Sequence, residues 1–100
     1  MYGFKKLELI IEQRDLPTVL EVLEEIDIPF YYVIKDVTGK DARGVKQGDD
    51  LNDVFSNCIV TTVTSEDLIK KIKKRLGEVF TKWSGVAIVY HNVEAMTDIS

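Results

Sequence analysis

The sequence predicts an α+β fold: a four-stranded antiparallel sheet with two helices on one face, in the order strand, helix, strand, strand, helix, strand. Three observations predict it. The apolar pattern starts with a period of two, changes to helical spacing, returns to β-branched and aromatic runs, and then does so again. The chain has 100 residues, which suits a single domain spanning residues 1–100. Apolar residues make up 45% and charged residues 30%, the balance of a globular chain with one core.

Each element follows from its own pattern. In "KKLELIIE", Leu7, Leu9 and Ile11 share one face, while Lys6, Glu8, Ile10 and Glu12 share the other, as in a strand with one face buried. In "DLPTVLEVLEEIDIP", Leu16, Val19, Leu20, Leu23 and Ile26 recur at helical spacing. Pro17 fits the first turn of that helix, Asp15 is the expected cap at ~1 kcal/mol, and Pro29 blocks continuation. "FYYVIKDV" is aromatic and β-branched and predicts the second strand. "NCIVTTVT" predicts the third, from about Asn57 to Thr64. Ser65 is a good cap for a second helix, with acids in its first turn and Leu68, Ile69, Ile72, Leu76, Val79 and Phe80 as its buried stripe. Gly77 interrupts that helix at a cost of ~1 kcal/mol relative to alanine. "SGVAIVYHN" predicts the last strand.

This order is the split βαβ, or ferredoxin-like, pattern. Its second sheet face should be polar in a monomer. Here Val86, Ile88 and Tyr90 oppose Ala87 and Val89, and Tyr31, Val33 and Val37 oppose Phe30, Tyr32 and Ile34. Apolar residues on both faces predict an oligomer in which other subunits cover the open face. Each aliphatic residue so covered contributes about 1.5–3 kcal/mol.

Bulk charge excludes some functions. A net charge of -4 and a pI near 4.9 argue against nonspecific binding to nucleic acid or anionic membrane, since both require a positive field. Cys58 is alone, so there is no internal disulfide and no cysteine-based zinc site, which suits a reducing, cytoplasmic setting. The opening "MYGFKKLELIIEQRD" carries charges where a signal peptide needs an unbroken apolar core.

One segment does not belong to the scaffold. Between the second and third strands, at about 37–56, runs a loop far longer than a hairpin needs. Its first part, "VTGKDARGVKQGDD", holds three glycines, three basic residues and three aspartates. Closure entropy grows only logarithmically with length, so such an arm is tolerated. Long loops without their own structure usually carry function or remain disordered. Lys40, Arg43 and Lys46 recur every three residues among glycine amides, a workable cradle for phosphate or another small anion. A solvated loop rich in charge accounts for the composition equally well.

The element order, the loop after the second strand and "TKWSGVAIVY" before and within the last strand resemble the PII-type signalling proteins. The spacing of Gly39, Lys40, Arg43 and Lys46 at the loop base is most similar to the PII-like branch associated with bicarbonate transport and carboxysomes. The resemblance runs from Lys5 to about Met96. It implies a non-enzymatic homotrimer with an adenine nucleotide, and with bicarbonate as a further ligand, in clefts between subunits. It also implies that the loop engages a partner such as a membrane transporter. Carried over by motif, Gly39, Lys40, Arg43 and Lys46 match the anion contacts of the loop base. Ser84, Gly85, Val86 and Ala87 match the segment whose backbone approaches the nucleotide, and Thr61, Thr62 and Val63 match the strand beside the adenine. Asp41, Ala42, Gly44, Val45, Gln47, Gly48, Asp49 and Asp50 would form the partner-binding part of the loop.

The chain also departs from that family. From Val37 to Asn57 there is no tyrosine to uridylylate. Lys82 is the only cation in "TKWSGVAIVY" and "HNVEAMTDIS" has none, so AMP, ADP or cyclic AMP is favoured over ATP. The rival readings are an acylphosphatase-like hydrolase, for which Arg14 lacks a glycine-rich cradle, and an amino-acid- or metal-binding regulatory domain of the same topology. Neither explains the basic 37–48 segment. His91 and Cys58 read as structural residues, and the lysines from Lys70 to Lys74 with Arg75 as a solvated helix face.

Overall fold

The computed structural model describes residues 4–41, 44–46, 57–83, 85–91 and 93–97. Strand β1 (Phe4–Glu12) leads through a 3-10 turn (Gln13–Asp15) into α1 (Leu16–Glu25). Then come β2 (Tyr32–Val37), a ribbon of β3 (Gly39–Asp41) and β4 (Gly44–Lys46), β5 (Asn57–Ser65), α2 (Glu66–Val79) and β6 (Val86–Tyr90). The main sheet has four strands in the order β2-β5-β1-β6, and each neighbouring pair is antiparallel. This is the expected ferredoxin-like α+β topology.

The ends of the helices are set by local chemistry. Ser65 caps α2 as expected, its hydroxyl accepting from the Leu68 amide at 3.3 Å. Asp15 makes no capping bond and already has helical backbone angles. The preceding 3-10 turn winds the chain early, so the expected cap is not formed. At the other end of α1, Asp27 adopts φ 61°. The Ile28 amide donates to the Leu23 carbonyl and the Asp27 amide to the Glu24 carbonyl, both at 3.1 Å. This is a Schellman closure, with Ile28 and Leu23 both buried, and it ends the helix before Pro29 acts. Gly77 does not interrupt α2, which continues to Val79.

The core lies between the helices and one sheet face. Leu7, Leu9 and Ile11 of β1 stand opposite Thr62, Val60 and Cys58 of β5, and all six are buried. Against them pack Leu16, Val19, Val22 and Leu23 of α1 and Ile69, Ile72 and Leu76 of α2. Within α1, Val22 is buried and Leu20 only packs against the cluster. Arg75 joins the two helices, its Nε donating to Glu25 Oε2 at 2.9 Å.

The open face is written in the register. Ile34, Ile59, Ile10 and Val86 form one row across all four strands, and Tyr32, Thr61, Glu8 and Ile88 the next. The third row, Val63, Lys6 and Tyr90, carries polar contacts: Lys6 Nζ lies 3.6 Å from Glu8 Oε2 and 5.1 Å from the Tyr90 ring centre. The face is therefore most apolar toward the loop end of the sheet. One parity assignment changes. Asp36 adopts φ 57° in a bulge between Lys35 and Val37. The extra residue turns Val37 to pair with Asn57, on the same face as Ile34 rather than opposite it.

The 37–56 segment also begins with more order than its composition suggests. Gly39 pairs with Lys46, Lys40 with Val45 and Asp41 with Gly44. Backbone pairing needs no apolar side chains, which is why composition conceals it.

Candidate functional site

The residues expected to bind anion fall on the two edges of the sheet. Strand β2, at one edge, delivers the chain into the ribbon that carries Gly39, Lys40 and Lys46. Gly85 and Val86 belong to the other edge, beside β1. Three interstrand steps of about 4.8 Å put roughly 14 Å between the edges. Both groups nevertheless lie toward the same end of the sheet, since Val37 pairs with Asn57 and Val86 with Ile10. Among the described residues, the two groups therefore belong to opposite edges of the sheet.

Gly85 is required by packing. A Cβ there would lie 2.9 Å from the Ile10 carbonyl oxygen, 3.0 Å from Ile11 Cγ2 and 2.7 Å from Trp83 Cζ2. The backbone is thus pressed against β1 and Trp83, and no side chain fits there. Val86 and Ala87 pair with Ile10 and Leu9 and so point to opposite faces. At Gly39 nothing lies within 4 Å of the place a Cβ would take and the backbone is not left-handed, so packing within the chain does not require glycine there. Lys40 is exposed, and it occupies the cross-strand pair next to that of Lys46.

The third strand divides. Thr61 and Val63 lie on the open face, half-buried, in register with Glu8 and Lys6. Thr62 is buried on the helix side, and its hydroxyl donates to the Phe30 carbonyl at 2.6 Å. That bond ties β5 to the segment before β2. Arg43 and Ser84 lie outside the described residues, as do Ala42, Gln47, Gly48, Asp49 and Asp50; Asp41, Gly44 and Val45 are placed through the ribbon backbone.

Next to the loop base is a polar cluster that the alternation pattern did not reveal. Glu12 and Asn57 are cross-strand partners and both are buried. Arg14 Nε lies 2.8 Å from Glu12 Oε2. Asn57 Oδ1 has no hydrogen-bond partner among the described residues. Burial pushes the Asp15 carboxyl above its ordinary range, against the pull of Arg14. Burial likewise raises the Cys58 thiol, with Lys35 opposing, so this cysteine is a core residue and a poor nucleophile at neutral pH. The polar character of Glu12 and Asn57 is visible in the sequence, but their burial is a tertiary effect.

The remaining candidates have structural partners. His91 Nδ1 lies 2.6 Å from Lys5 Nζ. Trp83 meets Phe80 edge-on, with ring centres 5.2 Å apart. Among the described residues no group of three or more His, Cys, Asp or Glu is placed to hold a metal ion.

Comparison with known proteins places this arrangement. CPII from Thiomonas intermedia K12, a nitrogen regulatory PII-like protein bound to ADP, AMP and bicarbonate, is 23% identical and superposes with a TM-score of 0.76. The match covers 89% of this chain and 85% of that one. A PII-like signalling protein from Thermus thermophilus is 21% identical over 86% of this chain and 83% of its own, with a TM-score of 0.67. A DUF3240 family protein from Shewanella baltica OS155 shares 12% identity over 97% of this chain and 98% of its own, with a TM-score of 0.75. At these identities the likeness is one of fold. No curated protein matches the chain. The family of nitrogen regulatory protein P-II matches residues 4–99, nearly the whole length, including the ribbon and both edges of the sheet. The chain therefore belongs to the nitrogen regulatory protein P-II family.

Proposed function

We propose that this protein is a homotrimeric, non-enzymatic cytoplasmic regulator that binds an adenine nucleotide between subunits. AMP, ADP or cyclic AMP is preferred over ATP, bicarbonate is a second ligand, and the 37–56 loop carries the state of the site to a partner such as a membrane transporter. The observation that carries this reading is the separation of the two groups. The ribbon base and Gly85 lie on opposite edges of one sheet, so a cyclic arrangement brings the β2 edge of one copy to the β6 edge of the next. Such a head-to-tail contact closes into a ring when the rotation permits. The apolar row Ile34, Ile59, Ile10 and Val86 then has a partner surface to cover it. Family membership and the ADP-, AMP- and bicarbonate-bound CPII support the ligand class.

In this scheme Lys40, Arg43 and Lys46 approach the phosphate from one subunit. The Ser84, Gly85, Val86 and Ala87 segment approaches from the next, through its backbone. Thr61 and Val63 back the adenine from the open face of β5, whereas Thr62, expected beside them, is buried on the helix side and holds the strand to the Phe30 carbonyl. Signalling is a population shift: a nucleotide that prefers one loop arrangement changes its population by that affinity difference and no more. Asp41, Ala42, Gly44, Val45, Gln47, Gly48, Asp49 and Asp50 present the surface read by the partner.

Calorimetric titration with AMP, ADP, cyclic AMP and ATP, with and without bicarbonate, tests the site. Replacing Arg43 with alanine should remove a charge-assisted contact worth ~1.5–3 kcal/mol, about 10- to 150-fold in Kd. Equal affinity of Arg43→Ala and the parent protein for every nucleotide would reject the assignment.

A further inference from the structure

On the helix-bearing face, between α2 and the β6 edge, a groove of about 390 Å³ remains unfilled by the described residues. Buried Leu9 and Ile72 form its floor, half-buried Trp83 and exposed Ala87 and Val89 its apolar walls, and Gly77 and Lys73 belong to the α2 side. It is on the other side of the sheet from Thr61 and Val63, and it shares Ala87 with the segment proposed to approach the nucleotide.

Two features give the groove a chemical direction. Gly77 is inside α2, where a glycine weakens the helix relative to alanine. It has no left-handed backbone angle, and nothing lies within 4 Å of the place a Cβ would take. Packing in this chain does not demand a glycine there; its effect is to leave the groove side clear. The second feature is Lys73. It is exposed and has no ion-pair partner among the described residues, whereas Arg75 on the same helix is engaged by Glu25 and Glu78. Lys70 and Lys74, near it on the helix, add positive charge. An apolar slot bounded by such a cation is complementary to an apolar body with an anionic head.

Size narrows the occupant further. At about 30 Å³ per water-sized unit the groove holds on the order of ten heavy atoms. A stable protein contact usually buries ~800 Å² per partner, a larger demand than a slot of this volume meets. The geometry points to a second ligand site: the α2–β6 groove binds a small amphipathic carboxylate, its aliphatic chain along Trp83, Ala87 and Val89 above the floor of Leu9 and Ile72, and its head at Lys73.

Trp83 is the only tryptophan in the chain, so its emission reports the groove directly. Sodium decanoate, decanol and decyltrimethylammonium bromide, titrated into the full-length protein below their micelle concentrations, separate the contributions. A saturable change in Trp83 emission is expected with decanoate, with binding about tenfold weaker for decanol and no saturation for the ammonium compound. Lys73→Gln should weaken decanoate about tenfold and leave decanol unchanged. Gly77→Leu, a better helix former that fills the groove side, should abolish binding of both. The proposal is overturned if the parent protein shows no saturable response, as it would if another copy of the chain or a partner protein already filled the groove. It is equally overturned if the ammonium compound binds as well as decanoate, if Lys73→Gln binds decanoate normally, or if Gly77→Leu binds like the parent.

Discussion

Leu9 and Ile34 are both aliphatic residues of the main sheet, yet Leu9 is 1% exposed and Ile34 is 56% exposed. The same contrast separates the two faces of the sheet. On one, Leu7, Leu9, Ile11, Cys58 and Val60 are closed over by α1 and α2. On the other, Tyr32, Ile34, Ile88 and Tyr90 stand exposed in the single chain. Both faces are apolar, so composition does not distinguish them. The helices do, because each crossover returns on the same side. The covered face holds the chain folded; the open face is the surface the proposed trimer would bury, most apolar where the loop leaves the sheet.

The sharpest test of that contrast is Leu9→Ala. It removes buried atoms from the core beneath the helices, and the expected loss is about 2–5 kcal/mol in urea unfolding. A loss within experimental error would mean that the covered face is not the one that stabilises the chain. Ile34→Asp tests the opposite face. Its effect should appear in association rather than in folding, at about 1.5–3 kcal/mol per chain for the apolar contact removed. Sedimentation should shift from the proposed trimer toward monomer while far-ultraviolet circular dichroism is unchanged. An unaltered sedimentation coefficient would contradict burial of this row in the assembly.

A smaller effect concerns the helices that cover the first face. Arg75 holds the Glu25 carboxyl below its ordinary value of 4.5, chiefly through their hydrogen bond. A lowered folded-state pKa means that the contribution is present above the unfolded value and lost as pH falls through the folded one. Both side chains are exposed, so the effect is small and weakens with salt. Urea midpoints for the parent and Arg75→Ala should differ slightly near neutral pH and converge in acid, as pH falls through the lowered Glu25 pKa. A difference that persists in acid would show that Arg75 acts by packing, not by charge.

Much of the fold is legible in the residues themselves. Alternation places Leu7, Leu9 and Ile11 on one side of β1, and helical spacing identifies the stripe of α2, because these periods are properties of the local chain. Ser65 announces its cap in the same way. The Asp15 cap fails because a 3-10 turn arrives first, and periodicity does not register single turns. The Asp27 closure escapes notice because glycine is the usual signal for a left-handed residue after a helix. The ribbon at 39–46 escapes because ladder hydrogen bonds are made by backbone common to every residue. At the site, the glycines and cations are recognisable by spacing. Their placement on opposite edges is not, since it depends on strand order.

The sequence by itself determined the kind, order and approximate limits of the four long strands and two helices, and it marked both faces of the sheet as apolar. Those are short-range matters, governed by side-chain period, capping and backbone preference within a few residues. Only the tertiary structure decided which face the helices cover, that the Asp36 bulge turns Val37 toward the open side, that Glu12 and Asn57 are buried together, and that α2 leaves a slot beside β6. Each of these depends on strands and helices far apart in the chain meeting in space, and no local pattern contains that information.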